Sequence, residues 1–224
     1  ETNQNRNYNT AVSLTALAAT GNAKYAAVID GGQNFLKGLQ LDPQQGYESD
    51  HKYYGGIGYG GDERPDLSNQ YMAMEALKAT SLDPKDPVWE KALVFISRSQ
   101  TRSESNDQEW AANDGGFTYM PGDSPHGGTG SYGGMTSAGL LSLLFAGADK
   151  DDPRVQAAYD WIKANYTLDD NPGAKNRSGL IYYYNVFAKS MYAMGDNEIV
   201  DSGGNRHNWR EELARKLMSL QGED

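Results

Sequence analysis

The stretch ALVFISRSQ, residues 92–100, followed by DGGFTYM, residues 114–120, decides the fold because its pattern recurs along the chain. Each copy joins an apolar segment that ends in glutamine or tyrosine to a loop rich in glycine and aromatic residues. The other copies are GQNFLKGLQ (32–40) with GGIGY (55–59), AYDWIKANY (158–166) with GLIY (179–182), and one that begins at Trp209 and stops at 221–224. Self-similarity of this kind is typical of repeat proteins, so the sequence predicts one structural unit repeated about four times.

Another helical segment precedes each copy and has a different composition. These segments are rich in alanine, leucine and methionine. They lie at 10–17, 71–77, 136–144 and 186–194. They are apolar on nearly every face, which predicts helices in the protein interior. A glycine follows three of them, at Gly21, Gly147 and Gly195, where glycine is the favoured C-terminal cap.

The helices of the repeated stretch alternate charged and apolar residues, which is typical of helices with one face in water. Two of them begin with Pro87 and Pro153, and Asp86 and Asp152 come directly before as candidate N-caps. Apolar inner helices paired with amphipathic outer helices predict an all-α fold. The predicted architecture is a partial α/α toroid of about four helical hairpin repeats joined by long loops rich in glycine and tyrosine.

The predicted domain organisation is a single domain over residues 1–224. Its repeats lie near 8–61, 68–120, 131–183 and 184–224, and the last is incomplete. The chain starts on an inner helix and stops within a repeat, so we expect the flanks of its terminal repeats to be open. Repeat proteins normally cover such flanks. Self-association through these open repeat ends is therefore a predicted interaction.

Composition excludes several classes of partner. The formal net charge is −10, and Lys and Arg do not cluster, so nucleic acid and anionic membrane surfaces are not expected partners. No apolar run approaches the ~18–20 residues of a membrane-spanning helix. The chain has no cysteine, which excludes disulfides and thiolate metal ligands. An asparagine-rich start at 2–9 suits a mature exported protein, periplasmic or extracellular.

The repeats and their Gln…Gly-x-aromatic signature resemble those of squalene-hopene cyclases and protein prenyltransferase β subunits, over essentially the whole chain. The resemblance implies an α/α toroid. In that family the glutamine and the aromatic ring of the signature are structural and tie the end of an outer helix to the next loop. The resemblance therefore implies that Gln40, Tyr59, Gln100 and Phe117 hold neighbouring repeats together.

The family's acidic motif is only partly present. The cyclases depend on D-x-D-D at the start of an inner helix, where the central Asp protonates the substrate. The matching stretch here is 65–69, in which Asp66 keeps the first acid, Ser68 stands at the proton donor and Asn69 at the next Asp. A hydroxyl is far too weak an acid for this step. Asp66 and Asp62 are the remaining candidate catalytic acids, and the alternative is that Asp66 or Ser68 only caps the helix.

The zinc site of the prenyltransferases is not preserved. In those enzymes Asp, Cys and His at the starts of two inner helices bind the metal. The corresponding positions are Ser131, Tyr132 and Asn185, which do not complete such a site. We therefore expect no metal and no cofactor.

Tyrosines crowd the loops and the inner helices and could line a central cavity. The predicted ligand-binding residues are Tyr71, Tyr132, Tyr184 and Asn185, for an apolar or a carbohydrate ligand. Aromatic rings bind hydrophobic chains in the related enzymes, and they could equally stack on sugars. The alternative is packing between repeats, which we expect for the tyrosines of the first loop. His126, in a polar and glycine-rich stretch, is expected at the surface.

Two functions stay open. The lost acids and absent zinc ligands favour a binding or scaffold module that has the family's fold without its catalytic activity. The other is an isoprenoid-handling, cyclase-like enzyme that uses Asp66 or Asp62 as its acid. An apolar pocket with a projecting carboxylate would favour the enzyme, and a centre filled with side chains would favour the scaffold.

Overall fold

The computed structural model describes residues 5–60 and 64–222, and over these residues the chain is mostly helical, as the sequence predicts. The described part forms eight α-helices and one antiparallel pair of short strands. The helices are α1 (Arg6–Ala19), α2 (Ala26–Gly38), α3 (Leu67–Ala79), α4 (Pro87–Arg98), α5 (Gly133–Phe145), α6 (Pro153–Ala164), α7 (Leu180–Met194) and α8 (Trp209–Leu220). The strands are β1 (Ile199–Val200) and β2 (Arg206–His207), which precede α8.

Helices α3 and α5 form the interior of the molecule, whereas α1 and α7 flank them and are partly exposed. The predicted interior position is wrong for α1, which buries only Asn7, Ala11 and Leu14. Helix α3 packs against both α1 and α5, and α5 packs in turn against α7. Every residue of α5 from Gly133 to Leu143 is buried, which explains why this helix is apolar on all faces. Helices α2 and α6 pack beside α1 and α5, and each leaves part of its surface in water. The core therefore lies between the odd-numbered and the even-numbered helices.

The predicted helix caps are confirmed. The Asp86 carboxylate accepts a hydrogen bond from the Val88 backbone N–H at 3.0 Å and begins α4. The Asp152 carboxylate accepts from the Arg154 N–H at 2.8 Å and begins α6 in the same way. Both helices have proline in their first turn, where a backbone N–H has no partner within the helix, so proline costs no hydrogen bond there. Gly195, with a φ of 92°, ends α7 in the left-handed region that glycine adopts without strain.

The two signature glutamines make matching contacts. Gln40 and Gln100 are both buried, and each donates from its side-chain amide to two backbone carbonyls. The acceptors are Gly55 (3.1 Å) and Val88 (3.0 Å) for Gln40, and Gly115 (2.9 Å) and Arg154 (2.9 Å) for Gln100. In each case one acceptor lies in the following glycine-rich loop and the other in the first turn of the next even-numbered helix. One side chain thus links three segments.

The glycine-rich loops approach other backbone closely. Gly55 has a φ of 80°, and a Cβ atom on it would lie 1.8 Å from the Lys91 carbonyl oxygen of α4. Gly115 has a φ of 82°, and its Cβ would lie 2.7 Å from the Ala157 carbonyl oxygen of α6. Both the left-handed backbone and the close contact require glycine here. The glycines of the signature therefore let the loop lie directly on the next helix.

The third repeat departs from the predicted boundaries. The stretch GLIY at 179–182 was expected to be a loop, with the following helix near 186–194, but α7 already begins at Leu180. The loop before α7 contacts the preceding inner helix, α5, at Pro172, whose carbonyl accepts from the Gly133 N–H at 2.8 Å. The equivalent bond one repeat earlier joins the Leu67 N–H to the Tyr119 carbonyl at 2.7 Å. Seven residues separate Pro172 from α7, whereas thirteen separate Tyr119 from α5, so this loop is the shorter one after its contact.

Candidate ligand-binding cavity

The first turns of the four odd-numbered helices converge on one cavity of about 210 Å³. Tyr8 of α1, Ser68 of α3, Met135 of α5 and Tyr182 of α7 all line it, and each is the second or third residue of its helix. The packing of α1, α3, α5 and α7 side by side brings these positions to the same end of the interior. The cavity is thus a product of the helical repeats.

Tyrosine is the most frequent residue of the lining. Four tyrosines line the cavity, namely Tyr8, Tyr119, Tyr132 and Tyr182. The remaining lining residues are Ser68, Pro125, His126, Met135, Asn171, Ser178 and Gly179. The described lining residues therefore include no Asp, Glu, Lys or Arg.

The phenol groups of the cavity remain protonated at neutral pH. Burial, with smaller effects from neighbouring groups such as the Asp66 charge, raises the pKa of Tyr8 to about 12. Burial followed by the Asp66 charge also raises the pKa of Tyr119 and of Tyr132. For Tyr182, burial is again the first cause of a raised pKa. Each phenol can therefore both donate and accept a hydrogen bond.

Contacts among the aromatic rings hold part of the lining in place. The Tyr8 ring stacks on Tyr59 with centroids 6.0 Å apart, and the Tyr59 hydroxyl lies 3.3 Å from the Tyr119 hydroxyl. On the other side the His126 ring meets Tyr132 edge-on at 4.5 Å. Such edge-on and stacked pairs are favoured geometries for aromatic rings. The lining is therefore positioned before any ligand enters.

The Tyr182 hydroxyl differs from those of the other tyrosines. Its oxygen is buried and has no hydrogen-bond partner among the described residues. A buried hydroxyl without a partner costs about 1–3 kcal/mol of stability. Asn171, by contrast, is fully engaged, because its amide accepts from the Gly134 N–H at 2.9 Å and donates to the Ser178 carbonyl at 2.9 Å. The Tyr182 oxygen is closed to solvent, so this hydroxyl is not open to a ligand in the cavity.

Asp66 is the N-cap of α3. Its buried carboxylate accepts from the Asn69 N–H at 2.9 Å, the Asn69 side-chain amide at 2.8 Å and the Ser68 hydroxyl at 2.6 Å. Ser68 lines the cavity, whereas Asp66 is not among the lining residues. Both carboxylate oxygens are therefore occupied by hydrogen bonds. Asp62, the other candidate acid, lies outside the described residues.

The predicted ligand-binding residues do not come together. Tyr132 lines the cavity, but Tyr71, Tyr184 and Asn185 are not in its lining. The Tyr71 hydroxyl donates to the Glu75 carboxylate at 3.0 Å and accepts from Lys189. The Tyr184 hydroxyl donates to the Leu168 carbonyl, and Asn185 is exposed on α7. A ligand-binding role for these three residues stays a prediction.

Sequence reasoning did not single out several lining residues. Tyr8 and Asn171 carried no motif, and His126 was expected at the surface, whereas its ring is partly buried against Tyr132. Burial first, and then the charge of Lys175, lower the pKa of His126, so its ring is neutral at neutral pH. The position of Tyr8 at the start of an apolar inner helix was the one available signal.

A second polar cluster lies near α8. His207 contacts Asp201 through Nε2 at 3.1 Å and Glu212 through Nδ1 at 3.2 Å, and the Tyr166 hydroxyl donates to Glu212 at 2.9 Å. Burial opposes the charged ring, but the two carboxylates outweigh it and raise the pKa of His207. This cluster joins the short strands to α8 by charge, and we assign it a structural role.

The described residues contain no group of three or more His, Asp or Glu side chains arranged to hold a metal ion. Over the same residues, no helix is both long and apolar enough to span a bilayer.

No protein-family profile matches the chain, and a search of curated proteins also returns no match. The resemblance to the cyclases and prenyltransferases therefore rests on the residues quoted above. That resemblance, like the expectation of export, stays a prediction.

Proposed function

We propose that the chain is a binding module built on a cyclase-like α/α toroid, without the catalytic activity of that family, and that its ligand occupies the tyrosine-lined cavity. The toroid is supported by the packing of α1, α3, α5 and α7 in chain order. It is also supported by the matching contacts of Gln40 and Gln100, which recur from one repeat to the next.

The observation that carries the proposal is the convergence of four tyrosines on one cavity, from α1, from α7 and from the loop between α4 and α5. Concave sites lined by aromatic rings with a few polar groups are the usual form of small-molecule binding sites. The tyrosine hydroxyls offer hydrogen bonds, and their rings offer apolar contact to an apolar or a carbohydrate ligand. The cavity thus has the chemistry of a binding site.

The absence of catalysis is supported by the state of Asp66. A general acid must reach the reacting atom. Asp66 instead accepts three hydrogen bonds as a helix cap, and Ser68 stands between it and the cavity. The closeness of Asp66 to the lining is the one observation that favours the second candidate, an isoprenoid-handling enzyme with this carboxyl as its acid.

An Asp66→Asn variant separates the two candidates. Asparagine keeps an oxygen for the cap, but its NH2 would face the Asn69 side-chain amide where Asp66 Oδ2 now accepts, so we expect the free energy of unfolding to fall by about 1–3 kcal/mol. We also expect that neither wild type nor variant converts squalene or farnesyl diphosphate, as measured by mass spectrometry of organic extracts. Asp86→Asn, which alters another helix cap outside the cavity, is the matched control. Cyclised product from wild type and from the control, but not from Asp66→Asn, would establish the enzyme and refute the proposal.

Self-association through the exposed faces of α1 and α7 is a separate part of the proposal. Val12 on α1 is 56% exposed, and Ile181 and Tyr192 on α7 are 66% and 75% exposed. Apolar residues exposed together on a helix face are typical of interaction surfaces. Sedimentation velocity at rising protein concentration tests this, and we expect Tyr192→Glu to shift the distribution towards monomer. A wild type that stays monomeric throughout would contradict it.

A further inference from the structure

The tyrosine-lined cavity lies beside a buried acidic side chain that has no cationic partner. Asp66 is 2% exposed, and none of the ion pairs of the described residues includes it. Its carboxylate accepts at 2.6 Å from the hydroxyl of Ser68, which itself lines the cavity. Buried charges in proteins are normally paired with an opposite charge. The fold therefore leaves a negative charge next to the cavity without its usual partner.

The Asp66 charge acts on every tyrosine of the lining. Burial is the first cause of the raised pKa of each of these phenols, and the Asp66 charge is among the further causes in all four cases. The four residues are Tyr8, Tyr119, Tyr132 and Tyr182. Because the phenols stay protonated at neutral pH, Asp66 is the group that sets the sign of the charge felt by the lining.

The side chains of the lining offer no positive charge that offsets Asp66. The described lining contains no Lys or Arg. Its histidine, His126, is neutral at neutral pH, because burial and then the charge of Lys175 lower its pKa. Lys175 itself is exposed, so water and salt screen its charge. A cation entering the cavity therefore meets an uncompensated carboxylate.

The helix ends at the cavity are already occupied, which disfavours an anion. Helix N-termini bind anions through N–H groups that lack a partner. The Asn7, Leu67 and Gly133 N–H groups, in the first turns of α1, α3 and α5, instead donate to loop carbonyls at 3.0, 2.7 and 2.8 Å. The full charge of a carboxylate at α3 also exceeds the roughly half charge of a helix end. The site as a whole thus favours a cation.

The rest of the lining suits an organic cation. Tyr8 and Tyr119 are partly exposed, and Met135 adds an apolar side chain beside them. Aromatic rings attract ammonium groups through their faces, and methyl groups on the nitrogen add apolar contact. A metal ion would need several converging ligands, and the described residues contain no cluster of His, Asp or Glu side chains of that kind.

Size restricts the cation further. The cavity volume of about 210 Å³ equals the liquid volume of about seven water molecules. A trimethylammonium group with a short substituent fits this volume, whereas an ammonium with four long alkyl chains does not. Pro125, Ser178 and Gly179 in the lining are exposed, so the cavity opens to solvent at that side. The substituent of a bound ammonium group can leave the cavity there.

We infer that the tyrosine-lined cavity binds a methylated ammonium group of the size of choline. Asp66 supplies the counter-charge from behind Ser68, and the rings of Tyr8 and Tyr119 lie against the methyl groups. This inference rests on the proposed binding function and adds the charge and the size of the ligand.

The test compares choline with 3,3-dimethylbutanol, an isostere of the same shape with carbon in place of the charged nitrogen. Each is titrated into the whole chain at constant ionic strength up to about 50 mM, followed by isothermal calorimetry and saturation-transfer NMR. We expect choline to bind with a dissociation constant on the order of 1 mM, at least about fivefold more tightly than the isostere. Tetrabutylammonium has the same charge but is too large, and it should not bind. Equally tight binding of tetrabutylammonium would show attraction to the acidic surface only and overturn the inference.

Asp66→Asn tests the counter-charge. It should weaken choline binding by about threefold to tenfold and leave the binding of 3,3-dimethylbutanol unchanged. Asp86→Asn removes another helix-cap carboxylate, outside the cavity, and should change neither. Circular dichroism establishes that both variants are folded. An equal loss for the charged and the neutral ligand would make Asp66 a purely structural residue and overturn its role as counter-charge.

A ring variant gives the same information if Asp66→Asn folds poorly. Tyr8→Leu removes an aromatic face from a partly exposed position and should weaken choline binding by about threefold to tenfold. Tyr8→Phe keeps the ring without the hydroxyl and should hold the affinity within about twofold. Choline binding that Tyr8→Leu leaves unchanged would place the cation elsewhere and overturn the inference.

The outcomes also separate this inference from the proposed function. Equal affinity for choline and 3,3-dimethylbutanol would overturn the cation and leave the binding function standing. Saturable binding of geraniol or of a methyl glycoside, with no binding of choline, would do the same. If none of these ligands binds, the proposed function fails as well.

Discussion

Replacement of Gln100 by alanine tests whether the signature glutamines hold the repeats together. The side chain is fully buried and donates at 2.9 Å to the carbonyls of both Gly115 and Arg154. Each hydrogen bond contributes about 0.5–1.5 kcal/mol net, and a buried carbonyl left unpaired costs about as much again or more. Gln100 Oε1 is itself buried without a partner among the described residues, so its removal offsets part of the loss. Gln100→Ala should therefore lower the free energy of unfolding by about 1–3 kcal/mol. For a domain of this size that lowers the thermal midpoint by about 2–12 °C.

The assay is urea unfolding followed by circular dichroism, with the slope of the transition compared between variants. Gln156→Ala is the matched control, because Gln156 also donates to one backbone carbonyl, that of Lys150, but at the exposed surface of α6. The control should change the free energy of unfolding by less than about 0.5 kcal/mol. Gln40→Ala should behave like Gln100→Ala, since it removes the equivalent pair of bonds.

A loss below about 0.5 kcal/mol for Gln100→Ala, equal to that of the control, would refute the reasoning. The buried amide would then be exchanging its two bonds for water without cost. A lower slope of the transition with an unchanged midpoint would instead show that the repeats unfold separately.

Two further predictions concern a loop glycine and the histidine cluster. Gly55→Ala should lower the free energy of unfolding in urea by about 3–5 kcal/mol, because Gly55 has a φ of 80° and the new Cβ would lie 1.8 Å from the Lys91 carbonyl oxygen. Gly21→Ala is the control, with a φ of 59° and open space around the new Cβ, and should cost only about 1 kcal/mol. Equal losses would contradict the contact. His207 has a raised pKa in the fold, so its charge stabilises fully below the ordinary pKa of about 6.5, and that contribution is lost as pH rises through the folded pKa. His207→Gln should therefore lower the thermal midpoint more at about pH 5.5 than at about pH 8.5, and an equal effect at both would exclude the charge.

Local features of the fold were predictable because they depend on neighbouring residues. Asp86 with Pro87 predicted the start of α4, and the structure has the cap and the helix there. The start of α7 was misplaced because the sequence signal for that boundary is not local. The Gly133 N–H donates to the Pro172 carbonyl, a contact between distant segments that no local pattern shows.

The candidate site was predictable only in part, as the tyrosines show. Tyr71 and Tyr182 lie in comparable inner helices, and sequence reasoning favoured Tyr71. In the fold Lys189 of α7 reaches the Tyr71 hydroxyl and Glu75, so that phenol is paired. The Tyr182 hydroxyl is buried without a partner at the cavity. Both residues are tyrosines, so the neighbours that the fold brings to each decide whether its hydroxyl is paired.

The sequence by itself determined the helices, their caps and the repeated glutamine–glycine signature. The period of the apolar residues, the capping side chains and the glycines with left-handed backbone each depend on only a few neighbouring residues. Only the tertiary structure decided that Tyr8, Tyr119, Tyr132 and Tyr182 share one cavity and that Asp66 serves as a helix cap beside it. Those properties depend on which segments pack together, since burial and hydrogen-bond pairing belong to the assembled fold and not to any one stretch of chain.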